Sequence, residues 1–224
     1  MVSLILTYLK LNFITIKYII KSALIILGYS KFSSSKEKKY LLFSLIAALD
    51  IFTTLLDKYV FTSNLELFLI NDLLAVGLYF MFFHLIEKPF IIKKTLLSFF
   101  GLLLLLAGSL FFFDWPKSDI SLYSKYGYLN TIEYLLYTLF SGLTCLIICA
   151  ILLVKMFKID LVRLNIIFIL FGIMSFYIGD IIQAGLGIYF ISDINVHFVF
   201  TEIFLTLRLF AYSGFITLGL LWKN

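Results

Sequence analysis

Residues 164–190 read LNIIFILFGIMSFYIGDIIQAGLGIYF, a run of 27 residues with one charged side chain, Asp180. As a helix rising about 1.5 Å per residue, the run is about 40 Å long, more than the roughly 30 Å of a bilayer's hydrocarbon core. A chain inside hydrocarbon must satisfy its own backbone hydrogen bonds, and over a single unpaired segment only a helix does so. Five more stretches share this character, at 40–60, 65–85, 95–113, 129–154 and 198–221. The expected fold class is therefore all-α, a polytopic transmembrane helical bundle of six or seven spans, the seventh depending on the N-terminal segment.

Composition points the same way. Of 224 residues, 62% are hydrophobic and only 14% charged, and the mean hydropathy is +1.08. A water-soluble domain of this size carries many more charges on its surface. No polar stretch is long enough to form a separate soluble domain. The expected organisation is an N-terminal amphipathic or spanning helix over 1–30, a basic cytoplasmic loop over 31–39, and a six-helix transmembrane domain over 40–224.

The net charge of +5 is carried by short connections between apolar segments. That placement sets membrane orientation and argues against a nucleic-acid-binding face. One side of the expected bundle holds Lys31, Lys36, Lys38, Lys39, Lys88, Lys93, Lys94, Lys155, Lys158, Arg163 and Lys223; the other holds Lys58, Lys117 and Lys125. Eleven against three predicts that the first side, with the C-terminus, is cytoplasmic. The chain then is an integral, multi-pass membrane protein.

The N-terminal segment has two readings. Lys10, Lys17 and Lys21 are spaced i, i+7 and i+11 and share a narrow stripe of a helix. The helix either lies flat with the lysines at lipid phosphates or spans the membrane with Lys10 and Lys17 turned to the bundle. Apolar residues fill the rest of its length, which favours spanning. The run KEKK at 36–39 reads as a solvated loop with weak attraction to anionic lipid. The connection 114–128, with Trp115, Pro116 and several tyrosines, reads as an interfacial aromatic belt.

Charges within the apolar segments each need a partner or a task. By depth, Asp50 lies near the middle of its span and Asp57 further out. Asp72, beside Asn71, lies inside the outer end of the second. Asp180 and Gln183 lie in the outer half of the fifth, with Tyr177 and Gly187 on the same stripe. Glu133 and Glu202 lie towards the outer ends of theirs, and Arg208 sits near the middle of the last. If these faces converge, the carboxylates form an acidic, outward-facing cavity with Arg208 at its floor. Arg208 stays charged and requires a carboxylate in the bundle; Asp180 and Asp50 match its depth.

Asp50, Asp57, Asp72, Tyr177, Asp180, Gln183, Glu202 and Arg208 are accordingly the candidate residues for a solute or ion. The alternative is that they form structural pairs that fix helix rotation. A two-aspartate intramembrane hydrolase would use Asp50 and Asp180, since one carboxyl must hold a proton while the other activates water. Intramembrane aspartyl proteases carry a Gly-x-Gly-Asp motif; here Tyr177-Ile178-Gly179-Asp180 has tyrosine at the first glycine, and no family is claimed. Membrane hydrolases of lysoplasmalogen also carry Gly-Asp, without further agreement here.

Cys145 and Cys149, at i and i+4 on one helix, are badly placed for a disulfide and read as free thiols in the bundle. Two histidines, His84 and His197, make no metal-ligating set, and no metal or cofactor is expected. Gly172 and Gly179, like Gly101 and Gly108, repeat at i, i+7 and predict close helix approach.

The leading functional expectation is a binding or sensing module for a small polar solute or ion. The chain ends at Asn224, so a signal would pass to a separate signalling protein. A small cation- or proton-coupled transporter is the alternative, weakened by the absence of repeated, interrupted helices. The hydrolase is the third. The expected partners are the lipid bilayer and a small solute, proton or cation, with no nucleic acid.

Overall fold

The computed structural model describes residues 2–59, 65–86, 97–102, 104–105, 132–158, 163–189 and 194–222. Their side chains are described over 15–56, 70–86, 97–105 except 103, 138–157, 163–182 and 204–222 except 205. Every described element is helical. In chain order they are α1 (Val2–Ser35), α2 (Lys38–Tyr59), α3 (Leu65–Ile86), α4 (Ile132–Lys158), α5 (Leu164–Tyr189) and α6 (Ile194–Leu221), with further helical residues at 97–102 and 104–105. Neither of the two prolines, Pro89 and Pro116, falls within α1–α6, so nothing interrupts their hydrogen-bond ladders.

Among the described residues three helices are long and apolar enough to cross a membrane, at Lys38–Leu56, Thr138–Phe157 and Leu164–Ile182. Shorter apolar helical stretches run over Ile70–Ile86 and Thr206–Leu221. Most of the expected segment 95–113 and all of the connection 114–128 lie outside the described residues.

The expected loop at 31–39 is mostly helix. α1 continues through the serines because Ser34 and Ser35 turn their hydroxyls back onto the Lys31 carbonyl, at 3.0 and 2.8 Å. Only Lys36 and Glu37 separate α1 from α2. Lys36 takes the left-handed conformation, φ 58°, and its N–H bonds the Phe32 carbonyl at 2.7 Å, a helix-ending geometry that usually selects glycine. So tight a turn makes α1 and α2 an antiparallel hairpin. Its levels are Gly28 against Tyr40 and Ser44, the Ser44 hydroxyl on the Ile25 carbonyl at 2.8 Å, and Lys21 against Asp50. The N-terminal helix therefore runs along the bundle rather than across it.

α3 returns along α2, with Phe43 edge-on to Phe82 at 4.9 Å. α4 and α5 pack antiparallel, Gly142 against Tyr177 and Ile181. α5 and α6 share the closest seam. A Cβ added at Gly172 would meet Ile216 at 2.8 Å, and one at Gly219 would meet the Asn165 carbonyl at 2.6 Å, so these backbones approach as the glycine spacing predicts. Gly101, in contrast, has nothing within 4 Å of an added Cβ, and Gly108 lies outside the described residues. The C-terminal part of α6 closes on α1, where the Lys31 ammonium donates to the Trp222 carbonyl at 2.9 Å.

The polarity is inside out. On α4, Thr138, Ser141, Thr144, Cys145 and Cys149 are buried while Leu143, Ile147, Ile151 and Val154 are exposed. Thr53, Asn165, Thr206 and Ser213 are buried too, and Phe52, Leu74, Phe171, Ile178, Leu207 and Phe210 are exposed. Water would drive the opposite sorting; hydrocarbon rewards this one. The core is aromatic and aliphatic, centred on Tyr79, Phe82, Phe83, Ile169, Leu170, Ile173, Tyr177 and Ile216.

Candidate functional site

Arg208 occupies a seat built by one turn of α5. Gly179 lacks the Cβ that would lie 2.6 Å from both Cγ and Cδ of Arg208, so the arginine stem lies directly on the α5 backbone. Its guanidinium reaches Asp180 as an ion pair and covers the Phe176 ring, 4.4 Å from the centroid. The spacing explains itself: residues 176, 179 and 180 share one helix face. Both charged side chains are largely withdrawn from the surface, 14% and 19% exposed. The partner expected for Arg208 is thus Asp180, and the Gly-Asp dipeptide serves as a place for an arginine.

Asp50 takes a different cation. Lys21, from α1, forms an ion pair with it. The aspartate is 42% exposed and the lysine 15%, so this pair sits at the edge of the bundle. Lys21 was not among the candidate residues. The signal that finds it is the turn: with two residues between antiparallel helices, partners occur at a near-constant sum of residue numbers, and 28 with 44 leads to 21 with 50.

Between these pairs lies a tyrosine layer that composition alone does not reveal. The Tyr79 hydroxyl donates to that of Tyr212 at 2.9 Å. The Tyr79 ring meets Tyr177 edge-on at 5.9 Å. Phe176 contacts both Tyr177 and Tyr212, at 5.4 Å each, and so links the arginine seat to the tyrosines. Tyr177 is buried and hydrogen-bonds the Cys145 thiol. Cys145 and Cys149 are free and buried.

Asp72 acts electrostatically on Tyr177 and Cys145, and Asp50 on Tyr79 and Tyr212. Beside them the Thr53 hydroxyl donates to Asn71 Oδ1 at 3.0 Å. One polar layer therefore draws residues from α1 to α6. Two ion pairs flank it, Lys21 with Asp50 and Arg208 with Asp180.

Asp57, Gln183 and Glu202 lie on α2, α5 and α6, but their side chains, with those of Glu133 and Gly187, fall outside the described residues, as His197 does. His84 is described and exposed near the end of α3. A hydrolytic dyad needs two carboxyls sharing a proton. Asp50 and Asp180 are each engaged by their own cation, an arrangement unsuited to that chemistry. Comparison of the chain with protein-family models, with curated proteins and with solved structures finds no match to any of them.

Proposed function

We propose that this chain is a multi-pass membrane protein that binds a small polar solute or ion, or senses it, in the polar layer between its helices. The observation that carries the reading is a buried polar layer, in which the Tyr79 hydroxyl bonds that of Tyr212 and Thr53 bonds Asn71, flanked by the Lys21–Asp50 and Arg208–Asp180 ion pairs. Carboxylate and hydroxyl oxygens suit a proton or a hard cation, and charges at this depth mark solute or proton sites in membrane helices. Arg208 with Asp180 serves as the fixed wall. Asp50 and Asp72 serve as the responsive groups. On this reading a signal passes to a separate signalling protein, the bundle has six or seven spans, and its basic end with the C-terminus is cytoplasmic.

Thermal unfolding of the purified protein in micelles tests it. Sodium chloride titrated against choline chloride at equal ionic strength, with pH varied separately, should raise the melting temperature. Asp50→Asn and Asp72→Asn should remove that response while Phe52→Leu, on the lipid face, keeps it. A melting temperature indifferent to cation and pH, or aspartate variants that respond as the wild type does, refutes the proposal. Orientation is tested by reporters, cytoplasmic when fused after Asn224 and external when placed within 116–128; the reverse labelling refutes it.

A small cation- or proton-coupled transporter is the second reading. It draws on the half-exposed Lys21–Asp50 pair, which a proton or competing cation on Asp50 would open. Proteoliposomes with an imposed pH gradient distinguish it from a pure binder by net flux.

A further inference from the structure

Four helix ends meet at the basic end of the bundle, the C-terminal ends of α1 and α6 and the N-terminal ends of α2 and α5. At their centre is Tyr40, 2% exposed, its hydroxyl held by Asn165 Nδ2 at 2.6 Å. Two ammonium groups lie over its ring, Lys39 at 5.0 Å and Lys31 at 5.7 Å. Lys39 is itself buried, 8% exposed, and pairs with Glu37. Lys36, Lys38 and Arg163 are exposed around this floor, and Arg163 acts electrostatically on Tyr40.

The balance here is unlike that of the interior layer. Five cations stand against one carboxylate, Glu37, in this group of described residues. Like charges gathered on one ring repel each other, and an anion seated among them turns repulsion into attraction. The depth is that of a membrane surface: Trp222 packs on Phe168 at 5.4 Å, and Tyr29 and Trp222 are exposed at the same end, as aromatic residues are at headgroup level.

We infer that this end seats the phosphate of an anionic phospholipid, with Lys36, Lys38 and Arg163 as the exposed contacts over a floor of Lys31, Lys39 and Tyr40. The site rests on the bilayer reading of the bundle and is independent of the interior polar layer. Lys31 and Lys39 supply fixed charge, and the flexible outer cations close on the headgroup. Being electrostatic, the attraction weakens with salt.

The test uses the full chain in neutral detergent micelles. Phosphatidylglycerol should raise the melting temperature by several degrees. Phosphatidylcholine at the same mole fraction, and inorganic phosphate, should not. The double variant Lys38→Gln/Arg163→Gln changes only exposed side chains and should melt as the wild type does without lipid, yet lose at least half of the shift. Lys36→Gln alone should lose a smaller part. Native mass spectrometry should show phosphatidylglycerol adducts retained by the wild type and shed by the double variant. Equal shifts with the two lipids, or an undiminished shift in the double variant, overturn the inference. So does a full shift with inorganic phosphate, which would mark a site for free anions.

Discussion

Two aspartates near the middle of this bundle meet cations in opposite ways. Asp180 holds an arginine that is clamped on every side: Gly179 receives its stem, Phe176 its guanidinium face, and little of either charge is exposed. Asp50 holds a lysine across a hairpin, with much of the carboxylate open. A planar guanidinium on an aromatic face and a carboxylate keeps one geometry, whereas an ammonium on a long stem finds water or another anion readily. Similar charges at similar depth therefore do different work. The first pair ties α5 to α6 through a closely packed contact; the second leaves its carboxylate more exposed.

The comparison breaks most sharply at Arg208. Arg208→Met alone should cost about 3–5 kcal/mol, because Asp180 is left buried without its cation. Arg208→Met with Asp180→Leu should recover most of that loss in detergent unfolding. If the double variant is no more stable than the single, the seat is more than a structural pair.

Gly179→Ala should cost roughly 1–3 kcal/mol, since the new methyl collides with the stem of Arg208. The cost should largely vanish in the Arg208→Ala background, a double-mutant cycle that isolates their contact. Two additive effects would show that Gly179 does not make room for the arginine.

Lys21→Gln should cost less than Arg208→Met, because the carboxylate it leaves unpaired is more exposed than that of Asp180. A loss as large as that at Arg208 would erase the distinction between the pairs. The smallest change is expected at the turn that brings Lys21 to Asp50: Lys36→Gly relieves a left-handed non-glycine residue and should stabilise by about 0.5 kcal/mol, part of the relief being offset by glycine's freedom in the unfolded chain. The melting temperature of the variant checks the sign.

Much of this arrangement is legible in the sequence. Long apolar runs become helices because hydrocarbon or a helical core leaves the backbone no other partner. An intramembrane arginine announces a carboxylate partner, and depth alone selects Asp180 or Asp50. The spacing of Gly172 and Gly179 marks the α5–α6 seam. The Lys21–Asp50 pair was hidden because Ser33, Ser34 and Ser35 resemble a loop. The hydroxyls of Ser34 and Ser35 instead bond back along the helix, which moves the turn to 36–37 and sets a register no local pattern displays. The tyrosine layer was hidden for another reason. Fourteen tyrosines in one chain look alike until packing decides that Tyr79, Tyr177 and Tyr212 face inward while Tyr29 faces out. The expected acidic outer cavity rests partly on Asp57 and Glu202, whose side chains lie outside the described residues, and Lys21 of α1 adds a cation that depth alone did not assign to Asp50.

The two-residue turn between α1 and α2 also bears on how such a chain enters a membrane. Helices delivered one at a time would each carry an uncompensated charge towards the bilayer centre, at about 2.5–3.5 kcal/mol apiece on insertion scales. If helices joined this closely enter a bilayer together, Lys21 meets Asp50 before either has to face acyl chains alone. Paired across the hairpin, these two charges would enter hydrocarbon as one ion pair instead of as two lone ions.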